Sequence, residues 1–376
     1  MDSSLTEEQT LLRDSALRFV QNEYDFEARR ALSASEDGFS RKHWATFAEL
    51  GWLAMPLPEA HGGLGGGATE IAVLMEAFGR GLVLEPYFAT IVLGAGLVAE
   101  AGSEAQQAEI LPAVAGGEML LALAHGEPQA RFDLNDVATT AKKAKGGYVL
   151  DGHKAVAWHA GAADKLLVSA RTGGGQRDEK GISLFAVDRA SKGVTVRAYA
   201  TNDGQRAGDV LLEGVAVSSE AMLGKEGAAL PAIEAAVDRA RVALAAEAVG
   251  AMAALVEQTQ DYLKTRQQFG VPLSKFQVLQ HRLVEMFNEQ QMAQALTFRA
   301  CAILDDGAPA AVARTAAAVK ALAGKAGKFV GQQAVQLHGG MGMTDELPVG
   351  HYFKRLSMID ALLGNADFHK ARFAAM

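Results

Sequence analysis

One cysteine, Cys301, occurs in 376 residues, so the chain can form no internal disulfide and no cysteine cluster for a metal. A single thiol suits a reducing compartment. Its neighbours, Arg299 to Leu304, have a helical pattern that makes it a small buried residue. No apolar run approaches the roughly 18 residues that a membrane-spanning helix needs. The chain starts without the basic segment and apolar stretch of a signal peptide, and a cytoplasmic protein is expected. Basic residues are in short supply, 36 against 44 acidic, for a net charge of -8. That balance argues against nucleic acid as the main partner, because phosphate backbones are bound by basic surfaces. A small anionic ligand remains open, since it needs only a local cluster of donors. What is present is ample material for a core: 49% of residues are hydrophobic and 21% charged.

The pattern along the chain falls into three parts. Thr6 and Gln9 have capping-box spacing, and Leu12, Ala16, Phe19 and Val20 follow at helical intervals. Helical patterns continue to about residue 115, broken at Gly51, at Pro56 and Pro58, and between Gly62 and Gly67. From 118 to 225 the segments become short and alternating. Tyr148-Val149-Leu150 runs into Asp151-Gly152, a hairpin-turn signal, and strands are expected at 166–169, 182–187, 194–196 and 210–212, with a solvated loop at Gly173-Gly174-Gly175. From Pro231 onward the helical period returns, with long helices expected over Ile233–Arg266, Phe276–Leu304 and Pro309–Leu337. In the last of these, Ala313, Ala317, Ala321, Gly324 and Gly327 form a small-residue stripe that permits close helix packing. Such faces often pack between subunits, and an oligomer is expected.

Two segments carry chemistry. In the first, Arg266 precedes Phe269-Gly270 where a long helix should end, and Gln277 follows. A guanidinium there suits a helix C-terminus, and it equally offers a fork of donors for phosphate oxygens. In the second, Gln336-Leu337-His338-Gly339-Gly340-Met341-Gly342, three glycines within four residues leave backbone amides open to a ligand. Taken alone, that run reads as an anion-binding nest or as a helix-ending turn.

Together, in this order and spacing, the two segments resemble the acyl-CoA dehydrogenase family. Gly62-Gly63-Leu64-Gly65 and Leu223-Gly224-Lys225-Glu226-Gly227 extend the resemblance over nearly the whole chain. It implies a mainly α protein with an inserted β domain: an N-terminal helical domain (1–117), a middle β domain (118–225) and a C-terminal four-helix bundle (226–376). It also implies FAD as cofactor, bound across a subunit interface. Arg266 and Phe269 would contact its pyrophosphate and adenosine part, with Gln277 beside them. Gln336, Leu337, Gly339 and Gly340 would reach that same half from the neighbouring chain. Asn365, Ala366 and Asp367 stand where the family places another FAD-contacting loop. No metal is expected.

The sequence also departs from the family. Leu363 stands where many members carry a catalytic glutamate, and Ala240, before Arg241, fills the second known glutamate position. The remaining candidate base is Glu247, seven residues after Ala240 on the same helix face and set in an apolar run. Apolar surroundings suit a carboxylate to proton abstraction; the other reading is a glutamate paired with an arginine such as Arg241 or held at a subunit contact. In the middle domain, His125-Gly126-Glu127-Pro128-Gln129-Ala130-Arg131-Phe132-Asp133 lacks the family's threonine and serine, and Val156-Ala157-Trp158-His159 replaces a run whose threonine bonds to the flavin ring. The half-site for the ring is altered while the adenosine half is kept. This pattern, with His351-Tyr352-Phe353-Lys354-Arg355-Leu356, is most similar to the small subunit of bacterial heteromeric acyl-CoA dehydrogenases of the pimeloyl-CoA type and relatives acting on steroid side-chain thioesters. The resemblance implies α,β-dehydrogenation of an acyl-CoA to a trans-2-enoyl-CoA, a sister chain in an α2β2 assembly, and an electron acceptor such as electron-transfer flavoprotein. A non-catalytic subunit that completes the sister chain's FAD site is the second expectation.

Overall fold

The computed structural model describes residues 5–376. The first helix, α1 (Glu7–Glu23), starts at the expected capping box: the Thr6 hydroxyl accepts from the Gln9 N–H at 3.2 Å, and the Gln9 amide oxygen accepts from the Thr6 N–H at 3.0 Å. Its apolar stripe, Leu12, Ala16, Phe19 and Val20, is buried. Then come α2 (Phe26–Ala34), α3 (Arg41–Glu49) and α4 (Ala68–Gly81), a wide π-type helical turn (Phe88–Ala95) that runs into α5 (Gly96–Ala101), and α6 (Glu104–Ala115). Eight strands follow: β1 (Leu121–Ala124), β2 (Thr140–Ala144), β3 (Gly147–Trp158), β4 (Lys165–Arg171), β5 (Ile182–Asp188), β6 (Val194–Ala200), β7 (Arg206–Ser218) and β8 (Met222–Leu223). The chain closes with α7 (Leu230–Thr265), a short hairpin of β9 (Gln267–Gln268) and β10 (Val271–Pro272), α8 (Gln277–Asp306), α9 (Pro309–His338), α10 (Pro348–Ala361) and α11 (Ala366–Ala374). Helices thus flank a central sheet domain, the mainly α architecture expected. Among the described residues no helix is long and apolar enough to cross a membrane.

Contacts divide the chain into two compact units. One holds Leu32–Gly66 and Leu84–Ala240 and contains the sheet, in strand order β6-β7-β3-β2-β4-β5-β8, with β1 pairing parallel to β4. Ala122, Leu150, Leu166, Val168, Phe185, Val210 and Val215 fill its core. The hairpin turn expected at Asp151-Gly152 is not one. β3 continues through both residues, with a bulge between Leu150 and Gly152, and the chain reverses instead before Gly147. Gly152 is needed there because a Cβ would strike the Thr139 side chain.

Two sheet cations organise the loops at one end of this unit. Lys154 on β3 and Glu127 form an ion pair at 2.6 Å with 0% and 2% of their side chains exposed. Lys154 also donates to the Ser169 hydroxyl (3.0 Å) and the His125 carbonyl (3.3 Å). Glu127 accepts from the N–H groups of Ala138 and Thr139, so its one carboxylate closes the loop between them. Burial works to raise its pKa, but Lys154 and these hydrogen bonds outweigh it and hold the carboxyl at about 2. Arg171 on β4 donates to the carbonyls of Asn135, Val137, Gln176, Asp178 and Lys180, tying that loop to the next.

The other unit holds the chain up to Ala31, Gly67–Val83 and Arg241–Met376. Here α1 packs on α4, and α8, α10 and α11 surround α9. The small-residue stripe of α9 is used within the chain. Gly327 and Gly331 lie against Leu356 and Phe353 of α10, where a Cβ would be 3.1 Å and 2.8 Å from those side chains. Ala313 and Ala321 lie off the buried face, because the packed side follows Gly324, Gly327 and Gly331 instead.

The buried Lys154–Glu127 pair yields a test. Lys154→Met leaves a carboxylate in the core and should lower unfolding stability by about 3–5 kcal/mol. Adding Glu127→Gln should recover part of that loss in denaturant titrations. Equal stability of the single variant and the natural chain would show that the pair holds nothing.

Candidate cofactor and active site

The sequence-predicted residues separate into two places within the helical unit. The first is the end of the bundle where α7, α8 and α9 meet. Tyr262, one turn before Arg266, stacks on His338 with ring centroids 4.3 Å apart and 27° between planes, and its hydroxyl donates to the His338 carbonyl at 3.3 Å. Arg282 of α8 donates to Gln333 of α9 at 3.0 Å. These contacts bring Arg266, Phe269, Gln277, Gln336, Leu337, Gly339 and Gly340 to one end of a single chain. Helices 70 residues apart in sequence carry no sign of which ends meet, so this juxtaposition is not legible in the sequence.

The local geometry differs from expectation in one respect. α7 ends at Thr265, and Phe269-Gly270 forms the turn of the β9–β10 hairpin with φ of 55° and 79°. Positive φ at both positions is the type I′ pattern. The turn thrusts Phe269 outward, 90% exposed, with only an edge contact to Phe276 at 6.1 Å. The exposed Arg266 side chain has no hydrogen bond or ion pair among the described residues. Gly339 adopts φ 61°, ψ -139°, a conformation open essentially to glycine alone, and a Cβ on it or on Gly340 would meet no atom within 4 Å. Among the described residues, the same end of the bundle therefore carries an unpartnered guanidinium and an uncovered backbone turn. Leu337 is packed into the core, while Gln277 and Gln336 are exposed.

The second place is the turn between α10 and α11. Gly324 of α9 lies against Asp360 and Ala366 there. It precedes Gly339 by fifteen residues, about 22 Å along a helix at 1.5 Å per residue. Asn365 and Asp367 are therefore far from the glycine turn. The Asn365 side chain caps α11 by accepting from the Phe368 N–H at 2.9 Å, and exposed Asp367 pairs with Lys370 at 3.2 Å. Leu363 holds a left-handed φ of 54°. Its carbonyl accepts from Arg241 Nε at 3.0 Å and from His369 Nε2 at 2.9 Å. Lys320 donates to the carbonyls of Asp360 (3.0 Å) and Gly364 (2.7 Å). Burial, helped by Arg241 and opposed by Asp360, pushes the Lys320 ammonium down to about 7. Lys320 stands alone in an alanine-rich run, a lone charge that could have drawn notice in the sequence.

Glu247 is 3% exposed on α7, and both of its oxygens are taken by Arg355 of α10: Nε to Oε1 at 2.6 Å and Nη2 to Oε2 at 2.7 Å. The fork-to-fork pair occupies the lone pairs a general base would use. The partner is Arg355, 108 residues on, and not the adjacent Arg241, whose guanidinium turns to Leu363.

In the sheet unit the two runs that depart from the family lie together. The Ala155 N–H donates to the Gly126 carbonyl at 2.8 Å. Val156 bulges outward, 48% exposed at φ 55°, a strained state for a β-branched residue. Trp158 is buried, and His159, also at positive φ, donates from Nε2 to Gln205 at 3.2 Å. His125 shares a 2.8 Å hydrogen bond with Ser169; burial and then Lys154 press its pKa down to about 3.

Two buried imidazoles give a pH dependence. Burial, then the nearby Arg241, lowers His369 to about 3 as well. In the unfolded chain such groups bind a proton near 6.5, whereas in the fold they do so near 3. Stability should therefore fall as pH drops from about 6.5 toward 3. His369→Gln should flatten part of that slope in unfolding titrations; an unchanged slope would show that His369 is not held neutral.

Comparison with known proteins matches this arrangement domain by domain. The N-terminal, middle and C-terminal domains of acyl-CoA dehydrogenase match residues 6–118, 122–215 and 230–375. The chain is 29% identical over 381 residues to a short-chain specific acyl-CoA dehydrogenase of Clostridium acetobutylicum, covering 98% of each. A solved variant of the Tcur3481–Tcur3483 steroid ACAD is 32% identical, with a TM-score of 0.87 over 98% of this chain and 97% of that one. In the ChsE4–ChsE5 complex from Mycobacterium tuberculosis the similar chain is 26% identical, with a TM-score of 0.89 over 100% of this chain and 98% of that one. On sequence, domain order and fold together, the chain belongs to the acyl-CoA dehydrogenase family.

Proposed function

We propose that this chain is one subunit of an FAD-dependent acyl-CoA dehydrogenase, paired with a sister chain in an α2β2 assembly, and that it holds the adenosine–diphosphate half of the cofactor while the sister chain supplies the base. The observation that carries this reading is that Arg266, whose exposed guanidinium has no partner among the described residues, and the uncovered Gly339-Gly340 turn lie at one end of the bundle, where Tyr262, one turn before Arg266, stacks on His338. A guanidinium fork and open backbone amides are the donor set that a buried diphosphate requires. The exposed Phe269 ring offers a flat apolar face beside it, suited to adenine.

When bound, FAD supplies the acceptor for the hydride that leaves the β carbon of the acyl thioester. This chain's part is to bind and orient. Its own candidates for removing the α proton are engaged or absent: Glu247 is locked to Arg355, and Leu363 and Ala240 carry no acceptor. The reading of Glu247 as the base is thereby the weaker one, and the subunit that completes a partner's site is favoured. The likeness to a chain of the ChsE4–ChsE5 complex supports a mixed assembly, and the likeness to a steroid ACAD supports a bulky acyl thioester as substrate class. Electrons would pass on to a carrier such as electron-transfer flavoprotein.

Two measurements test this. Co-expression with the sister chain should give a yellow complex with one flavin for each unlike pair. Arg266→Ala there should weaken flavin binding by about tenfold or more, read by fluorescence of released FAD. A homotetramer of this chain carrying a flavin in every subunit would overturn the proposal. Separately, Glu247→Gln should leave turnover within about twofold while lowering unfolding stability by several kcal/mol, because Arg355 loses its buried counter-charge. Turnover lost at unchanged stability would restore Glu247 as the base.

A further inference from the structure

The turn that joins α10 to α11 is held more firmly than a helix end requires. The last carbonyls of a helix have no intrahelical donors and are usually met by water or a glycine cap. Here the acceptors of Asp360, Leu363 and Gly364 are met by side chains from three other elements: Lys320 of α9, Arg241 of α7 and His369 of α11. Lys320 is wholly buried. The Asp360 carboxylate turns back to accept from the Ala366 N–H at 2.9 Å. Gly324, one helical turn after Lys320, leaves room for that carboxylate; a Cβ there would collide with Asp360 Oδ1. At the centre of the turn Leu363 keeps a left-handed backbone that leucine rarely adopts. A strained residue persists when its surroundings over-determine it, and such strain gathers at sites that must be pre-organised.

We propose that Lys320 and Gly324 form a socket on α9 that sets the turn Asp360–Asn365, and through it holds Asn365–Asp367, which the family resemblance assigns to a second cofactor contact well away from the Arg266 end. The proposal deepens the functional reading above and rests on it for the identity of what the turn faces. Lys320 is a positioning residue: it touches the backbone of the turn and acts through it. The ammonium fills two carbonyls that would otherwise be buried without donors, and Gly324 admits the Asp360 carboxylate that orders the first turn of α11. Removing either should let Leu363 relax from its left-handed state and shift Asn365.

The test uses the flavin-containing assembly as purified. Lys320→Met attacks the socket by removing the donor, and Gly324→Ala attacks it by steric push, the milder variant if the first fails to assemble. Lys325→Met, an exposed lysine paired with Glu289 on the other side of the same helix, is the control. Amide exchange over 361–366 reports the turn. The visible flavin spectrum and the rate of flavin loss report what it faces, neither of which a merely structural lysine would move. Both socket variants should speed exchange of these amides by about tenfold, as expected for losing a charge-assisted hydrogen bond, and should shift the flavin spectrum and hasten flavin loss. The control should do neither. Unchanged exchange would overturn the socket itself. Faster exchange with an unaltered flavin spectrum and retention would overturn the link from turn to cofactor. A natural assembly without flavin would instead sink the functional reading, and the exchange arm would still stand by itself.

Discussion

The helical unit depends on the buried pair between Glu247 and Arg355. Either charge alone in that core would cost several kcal/mol, whereas the two-pronged pair satisfies both groups at 2.6 Å and 2.7 Å. The geometry of two parallel bonds allows little sliding or rotation, so it fixes the register of α7 against α10. Both flanking sites hang on that register. α7 runs on from Glu247 to Tyr262 and the Arg266 hairpin, and α10 runs on from Arg355 to the Leu363 turn. The close approach of α9, through Gly327 and Gly331, packs on Leu356 and Phe353, a different face of α10 from Arg355.

Charge placement accounts for the difference between the two ends of the bundle. At the end that carries Arg266, the guanidinium has no partner among the described residues and the Gly339-Gly340 turn is uncovered, an arrangement that costs nothing in water and offers donors to an anion. At the other end Lys320, Arg241 and the Nε2 of His369 are spent on the chain's own carbonyls. The first end has the character of a receptor and the second of a scaffold. The sheet unit repeats the second pattern: Lys154, Glu127 and Arg171 are consumed in fixing loops.

Much of the fold could be read locally. The Thr6–Gln9 box, the helical period of α7, α8 and α9, and the short apolar runs of β4 and β5 are each set by residues a few positions apart, and these elements fall close to where the pattern puts them. The misreadings share one cause. Asp151-Gly152 has the composition of a turn, but its conformation is decided by Thr139 across the sheet. Arg266 reads as the last turn of a helix, but α7 stops at Thr265 and the I′ turn at Phe269-Gly270 folds the residues after Arg266 into a hairpin. The α9 stripe reads as a subunit contact, but α10, reached through a loop, covers it first.

The sequence by itself determined the family, the order of helical and sheet parts, and the two motifs around Arg266 and Gly339-Gly340, because these follow from local periodicity and from residue types whose backbone freedom or charge is unusual. Only the tertiary structure decided that both motifs belong to one end of one chain, that Glu247 is paired and with which arginine, and that Lys320 is spent on a turn. Those outcomes depend on which helix ends meet. That is set by packing among segments up to about a hundred residues apart, where many partners of equal chemistry compete and burial selects one.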